Sequence, residues 1–121
     1  MMSRERFEEL ARNAFDSLPE VLVEKMENVV VVVEEDPSPG ARVKFAGGML
    51  LGLYEGVPQN RRGTYYGAYP VGPDKISLFR RNIMRSVRSE EELPEKIREV
   101  LIHEIAHHFG MDEDEIRNAG Y

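Results

Sequence analysis

The residues best suited to chemistry in this chain are its three histidines, which fall within six positions. They are His103, His107 and His108, and Glu104 lies among them. Side chains four residues apart share one face of an α-helix, so the imidazoles of His103 and His107 can bind one metal ion together. Glu104 would lie about 100° around such a helix from His103, close enough to take a proton from a metal-bound water. The spacing therefore predicts a metal-dependent hydrolytic site.

The segment that carries these residues has the pattern of a long apolar helix. Ser89 and Glu92 form a capping-box pattern, and Pro94 suits a first helical turn. Apolar residues then recur every four positions, at Ile97, Leu101, Ile105 and Phe109. Gly110 can end the helix in a left-handed conformation, and residues 112–118 predict a last short helix. We therefore expect a buried central helix that carries the histidines.

A catalytic zinc site needs a third protein ligand and leaves its fourth position to water. The sequence contains no cysteine, so the ligands must be nitrogen or oxygen atoms. A glutamate from a separate later helix, as in thermolysin-like enzymes, would lie beyond Tyr121, so we do not expect that arrangement. The reversal at Gly110 could instead return an acidic residue to the metal. The candidates are Asp112, Glu113, Asp114 and Glu115.

The segment from His103 to Glu113 resembles the extended signature H-E-x-x-H-x-x-G-x-x-H/D. This signature belongs to metzincins and to a small bacterial family of minimal zincin-like metallopeptidases, and the second agrees with the chain length. The resemblance implies a compact α+β fold with a small mixed sheet packed on a long active-site helix. It also implies one Zn²⁺ held by His103, His107 and Glu113, with Glu104 as the catalytic base. Glutamate replaces the more usual histidine or aspartate, so Asp112 stays an alternative third ligand.

The same resemblance implies a zinc-dependent peptidase whose peptide substrate pairs with an edge strand of the sheet. Residues 76–79 are the candidate for that strand. An oxyanion donor could come from the long loop after Gly56, although tyrosines in such loops more often pack over a core edge. The candidate donors are Tyr65, Tyr66 and Tyr69. His108 could orient Glu104, but we favour a solvated side chain.

Other functions are compatible with the same motif. The site could belong to a non-catalytic metal-binding module that recognises peptides, or to a regulatory peptidase dedicated to one protein partner. Glu104 argues against a purely structural zinc site, which has four protein ligands and no use for an adjacent base. Deformylase-like enzymes require a cysteine ligand. Three-histidine ribonucleases would require a histidine at the position of Glu113.

Composition is that of one globular domain spanning residues 1–121, with 41% hydrophobic and 31% charged residues. The net charge of -6 argues against nucleic acid or an anionic membrane as the main partner. The amino terminus lacks the apolar segment of a secretory signal, and the longest aliphatic run, at 29–33, is too short to span a bilayer. We therefore expect a cytoplasmic monomer that acts on a peptide or protein.

The remaining elements follow from periodicity. Residues 3–16 predict an amphipathic helix, and the valines at 29–33 predict a strand buried on both faces. Further strands are predicted at 49–54, interrupted by Gly52, and at 75–79, with a brief helix after the second. Four arginines lie in the segment that follows the strand at 75–79. We expect Arg80, Arg81, Arg85 and Arg88 to form a solvated face that pairs with carboxylates, and a contact with an acidic partner is the alternative.

Overall fold

The structure of the chain, a computed structural model, describes residues 2–44, 49–56 and 73–118, apart from the side chains of 42–44 and 113. The helices in these ranges are α1 (Arg4–Asp16), α2 (Glu20–Val23), α3 (Pro39–Lys44), α4 (Arg80–Arg85), α5 (Leu93–His108) and α6 (Glu113–Asn118). The strands are β1 (Val29–Glu34), β2 (Gly52–Glu55) and β3 (Asp74–Phe79). No helix within the described ranges combines the length and apolar character that crossing a bilayer requires.

The three strands form one mixed sheet in the order β1-β3-β2. β1 pairs with β3 in parallel, with Val31 opposite Ile76, and β2 pairs with β3 antiparallel, with Tyr54 opposite the same residue. The predicted α+β fold with a small mixed sheet on a long helix is confirmed. The placement of the substrate strand at 76–79 is wrong. β3 is the central strand, and its backbone hydrogen bonds are taken on both edges.

The valine strand β1 is less buried than its sequence predicts. Of its five valines only Val33 is buried, and Val30 is 41% exposed. The prediction of a strand buried on both faces is therefore wrong. β1 lies at one end of the described strand order and packs on α1. The guanidinium group of Arg4, on α1, donates a hydrogen bond to the carbonyl oxygen of Val33.

Helix α5 packs against the hydrophobic core with its apolar side chains, as its periodicity predicts. Its fully buried side chains include Ile97, Leu101 and Ile105, and they belong to one cluster with α1 and the sheet. The predicted capping box precedes it on a short 3₁₀ turn, Glu90–Glu92. The carboxylate of Glu92 accepts from the backbone N–H of Ser89 at 3.2 Å. The start of the long helix is thereby fixed by local hydrogen bonds.

Among the described residues, Arg80 and Arg81 pair with carboxylates as predicted, but Arg80 does not belong to a solvated face, because its side chain is only 14% exposed. Arg80 donates from Nε to Oε2 of Glu35 at 2.9 Å, and Arg81 donates to Oδ2 of Asp36 at 3.2 Å. The hydrogen bond from Arg80 lowers the pKa of Glu35, against the opposing effect of burial. Arg80 also donates to the carbonyl oxygen of Met2 at 2.9 Å. It therefore connects α4, the segment after β1 and the amino-terminal segment.

Candidate metal centre

Helix α5 brings together three residues that the sequence predicts for the site. Its Ile105 and Ala106 are fully buried, whereas His103 and His107 are exposed and Glu104 is partly buried. Because the two histidines lie one turn apart, their imidazoles share the exposed face of the helix. Glu104 lies between that face and the core. The arrangement allows two nitrogen ligands and an adjacent carboxylate to act at one point.

Glu104 has the environment of a proton acceptor. Burial raises the pKa of its carboxyl group above the ordinary glutamate value. A hydrogen bond from the backbone N–H of Tyr54 acts in the opposite direction, as do the charges of His107 and His103. Since burial is the largest of these effects, Glu104 holds a proton more readily than a glutamate in water does.

Strand β2 crosses α5 at contact distance beside Glu104. A Cβ atom at Gly52 would lie 2.9 Å from Cγ1 of Val100 and 3.4 Å from Cγ of Glu104. Only glycine permits this approach without displacing a neighbour. The sequence predicted Gly52 as an interruption within a strand at 49–54. In the structure β2 begins at this glycine, which lies where the strand meets the helix.

The outer edge of β2 faces the histidine-bearing helix. The backbone N–H of Phe79 donates to the carbonyl oxygen of Leu51 at 2.9 Å. Because backbone groups alternate in direction along an antiparallel strand, those of Gly52 and Tyr54 point away from β3. The N–H of Tyr54 lowers the pKa of Glu104, against the larger effect of burial. Within the described ranges, the sheet edge beside the site is therefore that of β2.

A cleft of about 320 Å³ adjoins this edge. Its lining includes Met49, Leu51, Gly52, Val100, His103 and Glu104. Three larger hollows, of about 360 Å³, 430 Å³ and 530 Å³, have no histidine among their described lining residues. The cleft beside His103 is therefore the one that connects directly with the candidate chemistry.

The chain reverses after α5 as predicted. Gly110 has a φ of 68°, and the N–H of Met111 donates to the carbonyl oxygen of Ala106 at 2.8 Å. This is the hydrogen bond of a Schellman helix ending. Asp112 then caps α6, because its Oδ1 accepts from the N–H of Glu115 at 2.8 Å. The Asp-x-x-Glu spacing is a sequence signal that could have predicted this cap.

The side chain of Glu113, the predicted third metal ligand, lies outside the described side chains. Among the side chains that the structure does describe, no three histidine or acidic groups are gathered to hold a metal ion. Glu113 begins α6, but the position of its side chain is not among them. The loop tyrosines fall outside the described residues as well, namely Tyr65, Tyr66 and Tyr69. Two imidazoles with a nearby carboxylate are nevertheless a donor set suited to Zn²⁺.

His108 is exposed, as predicted, and its ring also makes a contact with β2. Its ring stacks on that of Tyr54 with centroids 3.9 Å apart and planes 17° from parallel. The hydroxyl of Tyr54 donates to Oδ2 of Asp74 at 2.9 Å, and Asp74 is buried. Neither Tyr54 nor Asp74 is among the site residues predicted from the sequence. No local pattern marks them, because their contacts join β2, β3 and α5.

Comparisons with known proteins bear on the family and the fold of the chain. A family model described as zincin-like metallopeptidase matches residues 26–121. Among solved structures, a conserved hypothetical protein from Thermo thermophilus is similar, with a TM-score of 0.58 and 23% sequence identity. The similarity covers 89% of this chain and 94% of that one, and at this identity it shows the fold alone. None of the curated proteins matches the chain.

Proposed function

Because the chain belongs to the zincin-like metallopeptidase family, we propose that it is a zinc-dependent peptidase that hydrolyses peptide bonds. The observation that carries this proposal is the position of Glu104. Its carboxylate lies between a pair of histidines on one helical face and the outer edge of β2. A base, a nitrogen ligand pair and a strand edge are thus adjacent, and these are the parts that a zinc-dependent peptidase uses.

We propose that His103, His107 and Glu113 hold the zinc ion. The capping of α6 favours Glu113 among the acidic candidates, since Asp112 and Glu115 hydrogen-bond to each other's backbone N–H groups. A Zn²⁺ ion held by two imidazoles and a carboxylate supplies Lewis acidity, which lowers the pKa of a water ligand and polarises a carbonyl group.

Glu104 is the residue of the protein that transfers the proton. Its carboxylate accepts the proton of the attacking water and then delivers it to the leaving amine nitrogen. The raised pKa favours the first transfer, because a stronger base takes the proton more readily.

We propose that the substrate binds as an extended strand along the outer edge of β2. The backbone groups of Gly52 point away from β3, and a Cβ atom on this glycine would lie 3.4 Å from Cγ of Glu104. An added strand would take its affinity from these main-chain groups and its selectivity from neighbouring pockets. The cleft lined by Leu51 and Val100 is one such pocket.

The test compares metal content and turnover in matched variants. Glu104→Gln should retain zinc and lower peptidase activity by about 10²- to 10⁴-fold, because it removes the base and keeps the size of the side chain. His103→Ala should lose both zinc and activity. Glu95→Gln, on an exposed position of α5, is the control and should retain both.

Three results would contradict parts of this proposal. Full activity in Glu104→Gln would exclude the assigned base. Failure of purified wild-type protein to bind zinc would exclude the metal site. Stoichiometric zinc without turnover of any peptide in a diverse library would replace the peptidase by a metal-binding peptide-recognition module.

A further inference from the structure

Strand β1 has an outer edge that no strand among the described residues covers. β1 lies at one end of the strand order β1-β3-β2. The backbone N–H of Asp74, on β3, donates to the carbonyl oxygen of Asn28 at 2.9 Å. In a parallel pair the N–H and C=O groups of one residue point to the same side, and the side alternates along the strand. The backbone groups that point away from β3 are therefore those of Val29, Val31 and Val33.

Arg4 agrees with this orientation and occupies one end of the edge. Its guanidinium group donates to the carbonyl oxygen of Val33, which therefore faces away from β3. Within the described ranges, the outward groups of Val29 and Val31 have no hydrogen-bond partner. An exposed edge of this kind is a template for another strand, and charged residues or proline usually protect it. Residues 29–33 are all valine, so nothing in the strand itself blocks pairing.

We propose that this edge pairs with the same edge of a second copy of the chain, as antiparallel strands related by a two-fold axis at Val30. In this register Val29 of each copy lies opposite Val31 of the other. Opposite residues of a hydrogen-bonded pair exchange both N–H···O bonds, so the free groups of both valines are satisfied. A register centred on Val31 would instead pair Val29 with Val33. The carbonyl oxygen of Val33 already accepts from Arg4, which favours the register centred on Val30.

The same axis accounts for the exposed side chain of Val30. This valine is 41% exposed although it belongs to an aliphatic run. Its backbone groups point to β3, so the two Val30 residues face each other as a non-hydrogen-bonded pair, with Cα atoms about 4.5 Å apart. A β-branched side chain in a sheet gains stability by packing on a cross-strand neighbour. Pairing therefore covers the valine that the single chain leaves open to solvent.

The groove between β1 and α1 supplies a second part of the contact. It measures about 430 Å³, and its lining includes Glu8, Arg12 and Phe15 of α1. Arg4, at the amino end of α1, bonds to Val33 near the carboxyl end of β1, so the helix runs opposite to the strand. A two-fold axis normal to the sheet brings both α1 helices to one face, with Arg12 of each copy at about the level of Glu8 of the other. Opposite charges therefore meet across the axis.

Two-fold pairing closes on itself and leaves the candidate metal centre free. Two three-stranded sheets join into one, with β2 at both ends, so the proposed substrate edge stays open. One strand edge and one groove from each copy make a contact smaller than a standard interface, so we expect a weak dimer. The sequence led us to expect a monomer, because strand order, and with it the free edge of β1, does not follow from local patterns.

The first experiment uses the absence of cysteine from the sequence. Val30→Cys should form a disulfide-linked dimer on mild oxidation, because Cα atoms in a non-hydrogen-bonded pair lie within the span of a disulfide. Val32→Cys lies on the same face of β1 but opposite Asn28 of the other copy, so it should stay unlinked. Val21→Cys, on α2, controls for random collision, since Val21 is 43% exposed. Linkage of Val32→Cys or Val21→Cys as fast as that of Val30→Cys, on non-reducing gels, would overturn the proposed pairing.

The second experiment places charges at the axis and follows mass by sedimentation velocity as protein concentration rises. The wild type should shift from monomer to dimer. Val30→Lys and Val30→Glu should each associate more than about tenfold more weakly, because like charges then face each other. An equimolar mixture of the two should dimerise again, and Val21→Lys should behave as the wild type. A wild type that stays monomeric up to about 1 mM, or a mixture no better than its components, would overturn the proposal.

Discussion

Gly52 and Val100 lie so close that a Cβ atom on the glycine would be 2.9 Å from Cγ1 of the valine. The same Cβ atom would be 3.1 Å from the backbone carbonyl oxygen of Ser77. The strand is thus confined between the helix on one side and its neighbouring strand on the other. This confinement sets the distance between the outer edge of β2 and Glu104.

Gly52→Ala should therefore destabilise the protein and displace the edge strand. We expect a loss of about 1–3 kcal/mol in the free energy of unfolding, which is typical of overpacking in a tight core. Gly40→Ala is the matched control, since its nearest neighbour would be Oγ of Ser38 at 4.0 Å. Urea denaturation of both variants measures the difference. Equal stabilities of Gly52→Ala and Gly40→Ala would show that β2 and α5 are not tightly packed at Gly52.

A second substitution can separate this contact from other effects of the alanine. Val100→Ala removes the atom nearest to the added Cβ. In the wild-type background it should destabilise, because it leaves a cavity. In the Gly52→Ala background it should cost less, since it also relieves the overlap, and a double-mutant cycle measures the coupling. Strict additivity would assign the effect of Gly52→Ala to backbone conformation.

The metal-free protein should become more stable when Glu104 is replaced by glutamine. Burial raises the folded-state pKa of Glu104 above the ordinary value of 4.5. The folded state then binds the proton more tightly than the unfolded state does, so this group lowers stability as the pH rises from 4.5 through the folded-state pKa. Glu104→Gln lacks that dependence.

Thermal unfolding of the two metal-free proteins as a function of pH measures this effect. The midpoint of Glu104→Gln should exceed that of the wild type at neutral pH, and the two should converge below pH 4.5, where both side chains are neutral. Glu95→Gln, at an exposed position, should follow the wild type throughout. A lower midpoint in Glu104→Gln at neutral pH would mean that the charged carboxylate stabilises the fold.

Local signals predicted the elements that carry the site, because they are encoded in neighbouring residues. The four-residue apolar spacing predicted α5, and the Ser89 and Glu92 pair predicted its start. Gly110 predicted the reversal of the chain after the helix. The order of the strands was not predictable in this way. β1 is the more apolar strand, yet β3 is central, since strand order depends on contacts between distant segments.

The same limit explains which site residues the sequence left out. His103, Glu104 and His107 form a local pattern on one helix, so their spacing revealed them. Tyr54 belongs to another element and is brought to His108 only by the packing of β2 on α5. A tyrosine in a short strand has no periodicity that separates this contact from ordinary packing.

Stability in acid should depend on the ion pair of Glu35. The hydrogen bond from Arg80 lowers the folded-state pKa of Glu35 below 4.5. The pair therefore stabilises the protein at neutral pH, and this contribution is lost as the pH falls from 4.5 through the folded-state pKa. Glu35→Gln should be less stable than the wild type at pH 7, and the difference should fade in acid.

Arg117→Ala provides the comparison for an ordinary surface pair. Arg117 and Asp114 are separated by 3.6 Å, and their side chains are 73% and 85% exposed. Removing this pair should change the free energy of unfolding by about 0–1 kcal/mol at most. A pH-independent deficit in Glu35→Gln would show that lost packing, and not lost charge, accounts for its effect.

The assignment of the third zinc ligand predicts opposite outcomes at two adjacent residues. Glu113→Gln should lower zinc affinity and peptidase activity together, because an amide is a poor replacement for a carboxylate ligand. Asp112→Asn should keep both, since asparagine also caps helices well. Asp112→Ala should retain zinc but lose about 1 kcal/mol of stability through loss of the cap on Glu115. Zinc titration with a chromophoric competitor and denaturant unfolding measure the two effects separately, and loss of zinc in Asp112→Asn with full binding in Glu113→Gln would transfer the ligand role to Asp112.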